Sequence, residues 1–219
     1  MEKVSLFTPE QNIILNQVAK DSYLRSNFYF TGGTALSYLY LHHRNSEDLD
    51  FFTTIKLDPA EILAKITNWA QQYDFKFESQ MKEVVYIFFL TFNNGIKLKV
   101  DFGYYPVQRV EKGMQYKQLE VDSLFDIAIN KLVTIQQRTT VKDFVDLYFL
   151  LEQFTIWDLM YGAEAKFHMK IDLFMLAGDL LYKPEEFSSL PKMIKPLTLE
   201  ELRAFFRETA IGLARRSVE

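Results

Sequence analysis

A strand-like run that ends in two consecutive glycines and restarts at once as an apolar helix is the feature that most constrains this chain. Residues 27–53 read NFYFTGGTALSYLYLHHRNSEDLDFFT. The run Phe28 to Phe30 suits a strand, Gly32-Gly33 suits a tight turn, and Ala35, Leu36, Tyr38 and Leu39 follow at helical spacing. Glycines carry no Cβ, so their amides can approach a bound group closely. A helix beginning there points its unpaired N–H groups and the positive end of its dipole the same way. An anion fits such a turn. Further on, Ser46-Glu47-Asp48-Leu49-Asp50-Phe51-Phe52 has strand alternation that places Asp48 and Asp50 on one face, with Leu49 and Phe51 on the other. Adjacent carboxylates repel each other unless a cation joins them, and hard oxygen ligands suit Mg²⁺ held together with substrate phosphates.

Composition narrows the metal chemistry. The chain of 219 residues is 48% hydrophobic and 25% charged, an ordinary globular balance long enough to bury a real core. It has no Cys, which excludes disulfides and thiolate metal sites, and its three His form no zinc pattern, so a metal would be bound by oxygen. The start MEKVSLFTPEQ has no apolar signal core, and no apolar run reaches the length of a membrane span, so a cytoplasmic protein without membrane contact is expected. A net charge of −4 argues against broad nonspecific affinity for nucleic acid but leaves a local basic surface open.

Along the chain, Thr8-Pro9-Glu10-Gln11 has the grammar of a helix start, running to about Val18 or beyond. Asp58-Pro59-Ala60-Glu61 repeats it for a helix that should cover the sheet. Val84 to Phe92, the turn Asn93-Asn94-Gly95 and Ile96 to Tyr104 read as a hairpin. On its second strand Lys97, Lys99 and Asp101 share a face, a pattern that fits either an acidic ligand position or an ordinary solvated strand. Val107 to Tyr116 has no decisive period, and Tyr104 or Tyr105 has the shape to stack on a base.

Beyond this the pattern is helical. Ser123 with Asp126 opens a helix to Gln136, and Thr140 with Asp143 opens another to Leu151. Ile171 to Leu181 follows, then a helix from Thr198 and Glu201 to about Leu213 and a solvated Arg215-Arg216. Lys131 and Arg138 lie about two turns apart on nearly one side, where both can meet a triphosphate. For Asp143 two readings stand, a chemical role and the capping of helix amides. Asp146 is expected to pair with a nearby Arg or Lys, and His42 and His43 to complement a helix C-terminus. Arg44 and Ser46 suit either a phosphate contact or a bridge from the loop to the acidic pair.

The segments Gly32-Gly33-Thr34-Ala35-Leu36, Arg44, Ser46 and Asp48-Leu49-Asp50-Phe51-Phe52, followed by Asn130-Lys131-Leu132, Arg138 and Lys142-Asp143-Phe144-Val145-Asp146-Leu147, carry a resemblance. Together they resemble the nucleotidyltransferase superfamily that includes DNA polymerase beta, and more closely its AbiEii-type toxins of type IV toxin–antitoxin systems. The resemblance implies an α+β fold: a mixed sheet flanked by helices over residues 1–120, then a helical region, 121–219, packed on that core and completing the active-site cleft. It further implies that Asp101 joins Asp48 and Asp50 in holding two Mg²⁺ ions, or Mn²⁺, and that Lys131 and Asp143 are active-site residues. Gly32, Gly33 and Thr34, with Arg44, Ser46, Lys131 and Arg138, would bind the nucleoside triphosphate. The activity implied is transfer of a nucleotidyl group to a hydroxyl acceptor, with tRNA or a protein as acceptor and a cognate antitoxin as partner. A noncatalytic nucleotide- or partner-binding scaffold and a phosphohydrolase are the rival readings.

Overall fold

Thr8 begins the first helix with the reciprocal bonds its sequence predicts. Its Oγ1 accepts from the Gln11 amide at 3.2 Å, and Gln11 Oε1 accepts from the Thr8 amide at 3.0 Å. Gln11 Nε2 also donates to the carbonyls of Ser46 and Glu47, at 3.0 Å each, so the cap is tied to the chain that enters the acidic strand. The structure is a computed structural model that describes residues 7–216.

Two units make up the chain. The first comprises the described residues up to Tyr40, Ser46–Gln108 and Lys112–Asp122. Its elements are α1 (Pro9–Lys20), α2 (Ser22–Asn27), β1 (Tyr29–Thr31), α3 (Gly32–Ala35) running into a π-helix (Leu36–Leu41), β2 (Leu49–Thr53) and α4 (Pro59–Tyr73), then β3 (Phe75–Lys82), β4 (Val85–Phe92), β5 (Lys97–Tyr104), β6 (Gln115–Tyr116) and β7 (Leu119–Val121). The seven strands form one sheet in the order β3-β4-β5-β2-β1-β7-β6. Pairings β2 with β5 and β1 with β7 are parallel and the others antiparallel, which makes the sheet mixed.

One face of the central strands is aromatic. Phe30, Phe51, Phe88 and Phe102 are fully buried, with the Phe51 and Phe102 rings stacked at 5.3 Å between centroids. Each such ring contributes about 1.5–3 kcal/mol by leaving water. Helix α4 starts on Asp58, whose Oδ1 accepts from the amides of Ala60 and Glu61 at 3.1 Å, and buries Ile62, Ile66 and Trp69. The β4–β5 hairpin turns through Gly95 at φ +82, as Asn93-Asn94-Gly95 predicts.

Strand β3 is an edge strand, exposed from Glu78 to Lys82, and was within reach of the sequence, since Phe75, Phe77 and Met81 alternate with Lys76, Glu78 and Lys82. Strands β6 and β7 are short of signal, since two or three residues are too few to show a period. The helix after the glycines also differs from expectation: one α turn gives way to the wider π form over Leu36–Leu41.

The second unit comprises Leu41–Asn45, Arg109–Glu111 and the chain from Ser123 onward. It contains α5 (Leu124–Gln137), α6 (Val141–Leu150), α7 (Ile156–Phe167), α8 (Leu173–Tyr182), a short 3₁₀ turn (Lys183–Glu186) and α9 (Leu199–Arg216). Ser123 caps α5 by accepting from the Asp126 amide at 2.8 Å. The Asp126 carboxylate accepts from the amides of Val110 and Glu111 at 2.9 Å each, which clips the 109–111 segment to this helix. Lys166 completes the cluster with an Nζ to Oδ1 contact of 2.6 Å, both side chains being fully buried. Burial alone would raise the Asp126 carboxyl, but Lys166 and the two amides hold it below its ordinary range. Among the described residues no helix is long and apolar enough to cross a membrane.

Candidate active site

Register decides which carboxylates can meet. Strands β2 and β5 run parallel with Asp50 opposite Asp101 and Phe51 opposite Phe102. Partners in a ladder share a face, so Asp50 and Asp101 stand side by side while the two phenylalanines enter the core behind them. One pleat back, Asp48 precedes β2 and Lys99 lies on β5, both on the same side. All three carboxylates are intermediate in exposure, unlike the buried residues that alternate with them.

Lys99 Nζ donates a short hydrogen bond to Asp101 Oδ2. The other oxygen, Asp101 Oδ1, is buried and has no hydrogen-bond partner among the described residues. Burial pushes the Asp101 carboxyl above its ordinary value, Lys99 pulls it back, and the charge of Asp48 adds to the rise. Asp48 and Asp101 are therefore near enough to repel each other.

The glycine turn touches this group directly. Gly32 has φ +74, and a Cβ at that position would lie 2.1 Å from Asp50 Oδ2, so both the backbone and the space require glycine. The sequence suggests that the two glycines make room for a ligand; at Gly32 the first atom to use that room is an Asp50 oxygen. Thr34 is fully buried, and its hydroxyl bonds Ser46 Oγ at 2.9 Å and also the Asp48 carbonyl. These bonds join the turn to the start of β2, the bridging arrangement that the sequence offers for Ser46 beside a phosphate contact. Thr31, opposite Asp50 on β1, donates to Asp122 Oδ2 at 2.8 Å, a pairing with no local sequence signal.

An open groove of about 680 Å³ begins at Asp48 and crosses β5, β4 and β3, lined by Lys99, Lys97, Phe89, Thr91 and Lys76 among others. The register explains the lining: Lys99 faces Phe89, and Lys97 faces Thr91, which faces Lys76. Phe89 is 42% exposed there.

Among the described residues, no three carboxylate or imidazole groups stand close enough to hold a metal ion as they are. The donors nevertheless suit one, being hard oxygens with like charges on one face and one oxygen unbonded. Asp101 is drawn instead to the Lys99 ammonium.

The remaining sequence candidates form a cluster inside the helical unit. Arg44, only 2% exposed, forks onto Asp146 through Nε to Oδ1 at 2.6 Å and Nη2 to Oδ2 at 2.8 Å. His43 Nε2 contacts the same Oδ1 at 2.7 Å, and Lys131 Nζ reaches Asp146 Oδ2 and Asp143 Oδ1 at 2.6 Å each. Arg138, just past the end of α5 and exposed, grips Asp143 through Nε at 2.7 Å and Nη2 at 3.2 Å. The capping reading for Asp143 is not realised, since Thr140 makes no side-chain cap and the carboxylate is held by Lys131 and Arg138. Arg44 is likewise engaged by a carboxylate rather than presented for a phosphate. His42 is exposed with φ 52, whereas His43 is fully buried against Phe149.

Electrostatics follow from the contacts. Burial would raise Asp146, but Lys131, His43 and Arg44 hold it far below the carboxylate range. Asp143 is lowered too: Lys131 and Arg138 outweigh its burial. Burial lowers His43 more than Asp146 raises it, so the imidazole is neutral at pH 7. Lys131 is raised, since two carboxylates more than offset its burial.

Comparison with known proteins gives a shared fold, a relative and a family. JHP933 from Helicobacter pylori shares the fold with a TM-score of 0.58 at 21% identity, over 94% of this chain and 89% of that one. MenT4, the nucleotidyltransferase toxin Rv2826c of Mycobacterium tuberculosis H37Rv, aligns at a TM-score of 0.50 and 15% identity, over 92% and 82%. An uncharacterised protein of Aquifex aeolicus (strain VF5), aq_aa25, is 31% identical over 186 residues, 83% of this chain and 85% of that protein. Residues 13–214 match the family described as nucleotidyl transferase AbiEii toxin, type IV TA system. The chain belongs to the AbiEii nucleotidyl transferase toxin family.

Proposed function

We propose that this protein transfers a nucleoside monophosphate group from a nucleoside triphosphate to a hydroxyl acceptor, using divalent cations held by Asp48, Asp50 and Asp101. The reading rests above all on the β2–β5 register that sets Asp50 beside Asp101, with Asp48 on the same face. A bound Mg²⁺ or Mn²⁺ supplies Lewis-acid activation of the acceptor oxygen and neutralises triphosphate charge. The acceptor oxygen bonds to the α-phosphorus, the bond from that phosphorus to the bridging oxygen breaks, and pyrophosphate leaves. Asp101 takes the acceptor's proton on Oδ1, an oxygen otherwise unbonded on a carboxyl already raised by burial. Gly32 and Gly33 give their backbone amides to the phosphates, Gly32 doing so beside the Asp50 carboxylate.

Lys131 and Arg138 are proposed as further counter-charges to the triphosphate on the strength of the sequence pattern, and Asp143 positions both. A phosphate contact by Arg44 would require its fork to release Asp146. The acceptor is proposed to be an RNA end, such as that of tRNA, or a protein hydroxyl, and a toxin role would give the chain a cognate antitoxin and a cytoplasmic site of action. Incubation of the purified protein with each labelled triphosphate, Mg²⁺ and separated RNA or protein fractions tests this. One fraction should gain label as pyrophosphate appears. Nucleotide binding without pyrophosphate would favour a noncatalytic scaffold, and release of inorganic phosphate would favour a phosphohydrolase.

A further inference from the structure

The lysines that meet carboxylates in this protein are not held alike. Lys166 is fully buried on Asp126, and Lys131 bridges Asp143 and Asp146 with 11% of its side chain exposed. Lys99 meets a single carboxylate oxygen and keeps 31% of its side chain exposed. It also lines the open groove beside Asp48, with Lys97 and Phe89. A four-carbon stem anchored on β5 lets its ammonium swing from Asp101 into that groove without moving the backbone. Asp101, left behind, would carry a half-buried charge with no counter-charge on it, which a second cation can meet.

We propose that Lys99 is a tethered cation competing with the divalent ion for Asp101, a role that presupposes the cation-holding function given above to Asp48, Asp50 and Asp101. The ammonium already occupies Asp101 Oδ2, so the divalent ion gains that oxygen only as Lys99 leaves it. Two consequences follow from the geometry. Intrinsic cation affinity is held down by the ion pair that must break. The displaced ammonium adds a positive charge to the groove, so a polyanion there favours the same exchange, and by linkage each ligand strengthens the other. Lys99 is thus a positioning residue that makes cation and phosphate binding cooperative.

Mn²⁺ titration of the intact protein without nucleotide, read by the electron paramagnetic resonance of free Mn²⁺, tests the competition. Lys99→Gln should tighten Mn²⁺ binding by about fivefold or more, the scale of a partly exposed ion pair together with loss of a nearby positive charge. Lys99→Met, which keeps the apolar stem, carries the same expectation should the glutamine variant fold poorly. Lys99→Arg, still a cation, should remain within about threefold of wild type, and Lys97→Gln, a neighbour on the same face that makes no bond to Asp101, within about twofold. Unchanged or weaker binding in both neutral variants overturns the competition and leaves Lys99 a simple brace for Asp101. Asp48→Asn separates the two levels: if it abolishes Mn²⁺ binding while the Lys99 variants bind no tighter, only the competition falls. If neither wild type nor the Lys99 variants bind Mn²⁺, the cation-holding reading falls with it.

Discussion

The acidic face of the sheet and the charged cluster of the helical unit are built from the same residue types, yet their charges are satisfied differently. In the helical unit every carboxylate oxygen of Asp143 and Asp146 has a cationic or imidazole partner within 3.2 Å. Its two buried carboxylates balance two buried cations, Arg44 and Lys131, with the exposed Arg138 added at the edge. On the sheet, Asp48, Asp50 and Asp101 share a face, Lys99 bonds one oxygen, and Asp101 Oδ1 is buried without a hydrogen bond among the described residues. A closed cluster resists change because removing any member strands a buried charge, whereas an open one gains from an added cation. The contrast sets a self-compensated cluster beside an acidic face that keeps room for a cation, which is what the function proposed for Asp48, Asp50 and Asp101 requires.

Opposite responses to substitution would sharpen this contrast. Asp146→Ala strands Arg44, Lys131 and His43 in a buried site and should cost about 3–5 kcal/mol of folding stability, read by urea unfolding. Asp48→Asn should leave stability within about 0.5 kcal/mol. It should nevertheless lower nucleotidyl transfer by about a thousandfold or more, through loss of several kcal/mol of charge stabilisation, measured as pyrophosphate release. A stable Asp146→Ala protein, or an Asp48→Asn protein that still transfers, breaks the distinction. Gly32→Ala comes next in size. Its φ of +74 and the 2.1 Å approach to Asp50 Oδ2 predict a loss of about 1–3 kcal/mol, with transfer impaired because Asp50 must shift. Equal stability and activity in that variant would mean that the turn can relax without moving the carboxylate.

What the sequence disclosed was mostly local. The caps at Thr8, Asp58, Ser123, Thr155 and Thr198 each bring a side chain to an amide two or three residues away; four of the five caps read from sequence appear in place, and the one at Thr140 does not. The cap of Thr155 with Asp158 obeys the same rule and was within reach of it. The hairpin announced itself through Asn93-Asn94-Gly95, and the aspartates through their alternation with Leu49 and Phe51. Long-range pairings left no such trace. Arg44 and Asp146 are 102 positions apart, and Thr31 and Asp122 are 91 apart, so only the assembled unit shows that they meet. Lys99 and Asp101 are a different case, because their shared face was legible. That the ammonium bonds the carboxylate, rather than pointing into solvent beside Lys97, shows only once β5 is placed between β4 and β2 with Asp101 half-buried.

The smallest expected effect is a difference in sign with pH. Asp143 and Asp146 titrate below their unfolded value of about 3.9. The folded state then binds fewer protons than the unfolded chain, so their stabilisation is complete above about pH 4 and is lost as pH falls through the lowered values. Asp101 is raised by burial and by Asp48 despite Lys99, so the folded state binds more protons there. Its contribution to stability declines as pH rises from about 4 to the raised value, then levels off. The stability of wild type relative to Asp101→Asn should therefore fall with increasing pH, while that of wild type relative to Asp143→Asn should rise over the acid range below about pH 4.5. Urea midpoints of the three proteins between pH 3.5 and 7, with a chelator present, read both slopes. Slopes of one sign would mean that Asp101 is as fully compensated as Asp143, and the open character of the sheet's acidic face would be lost.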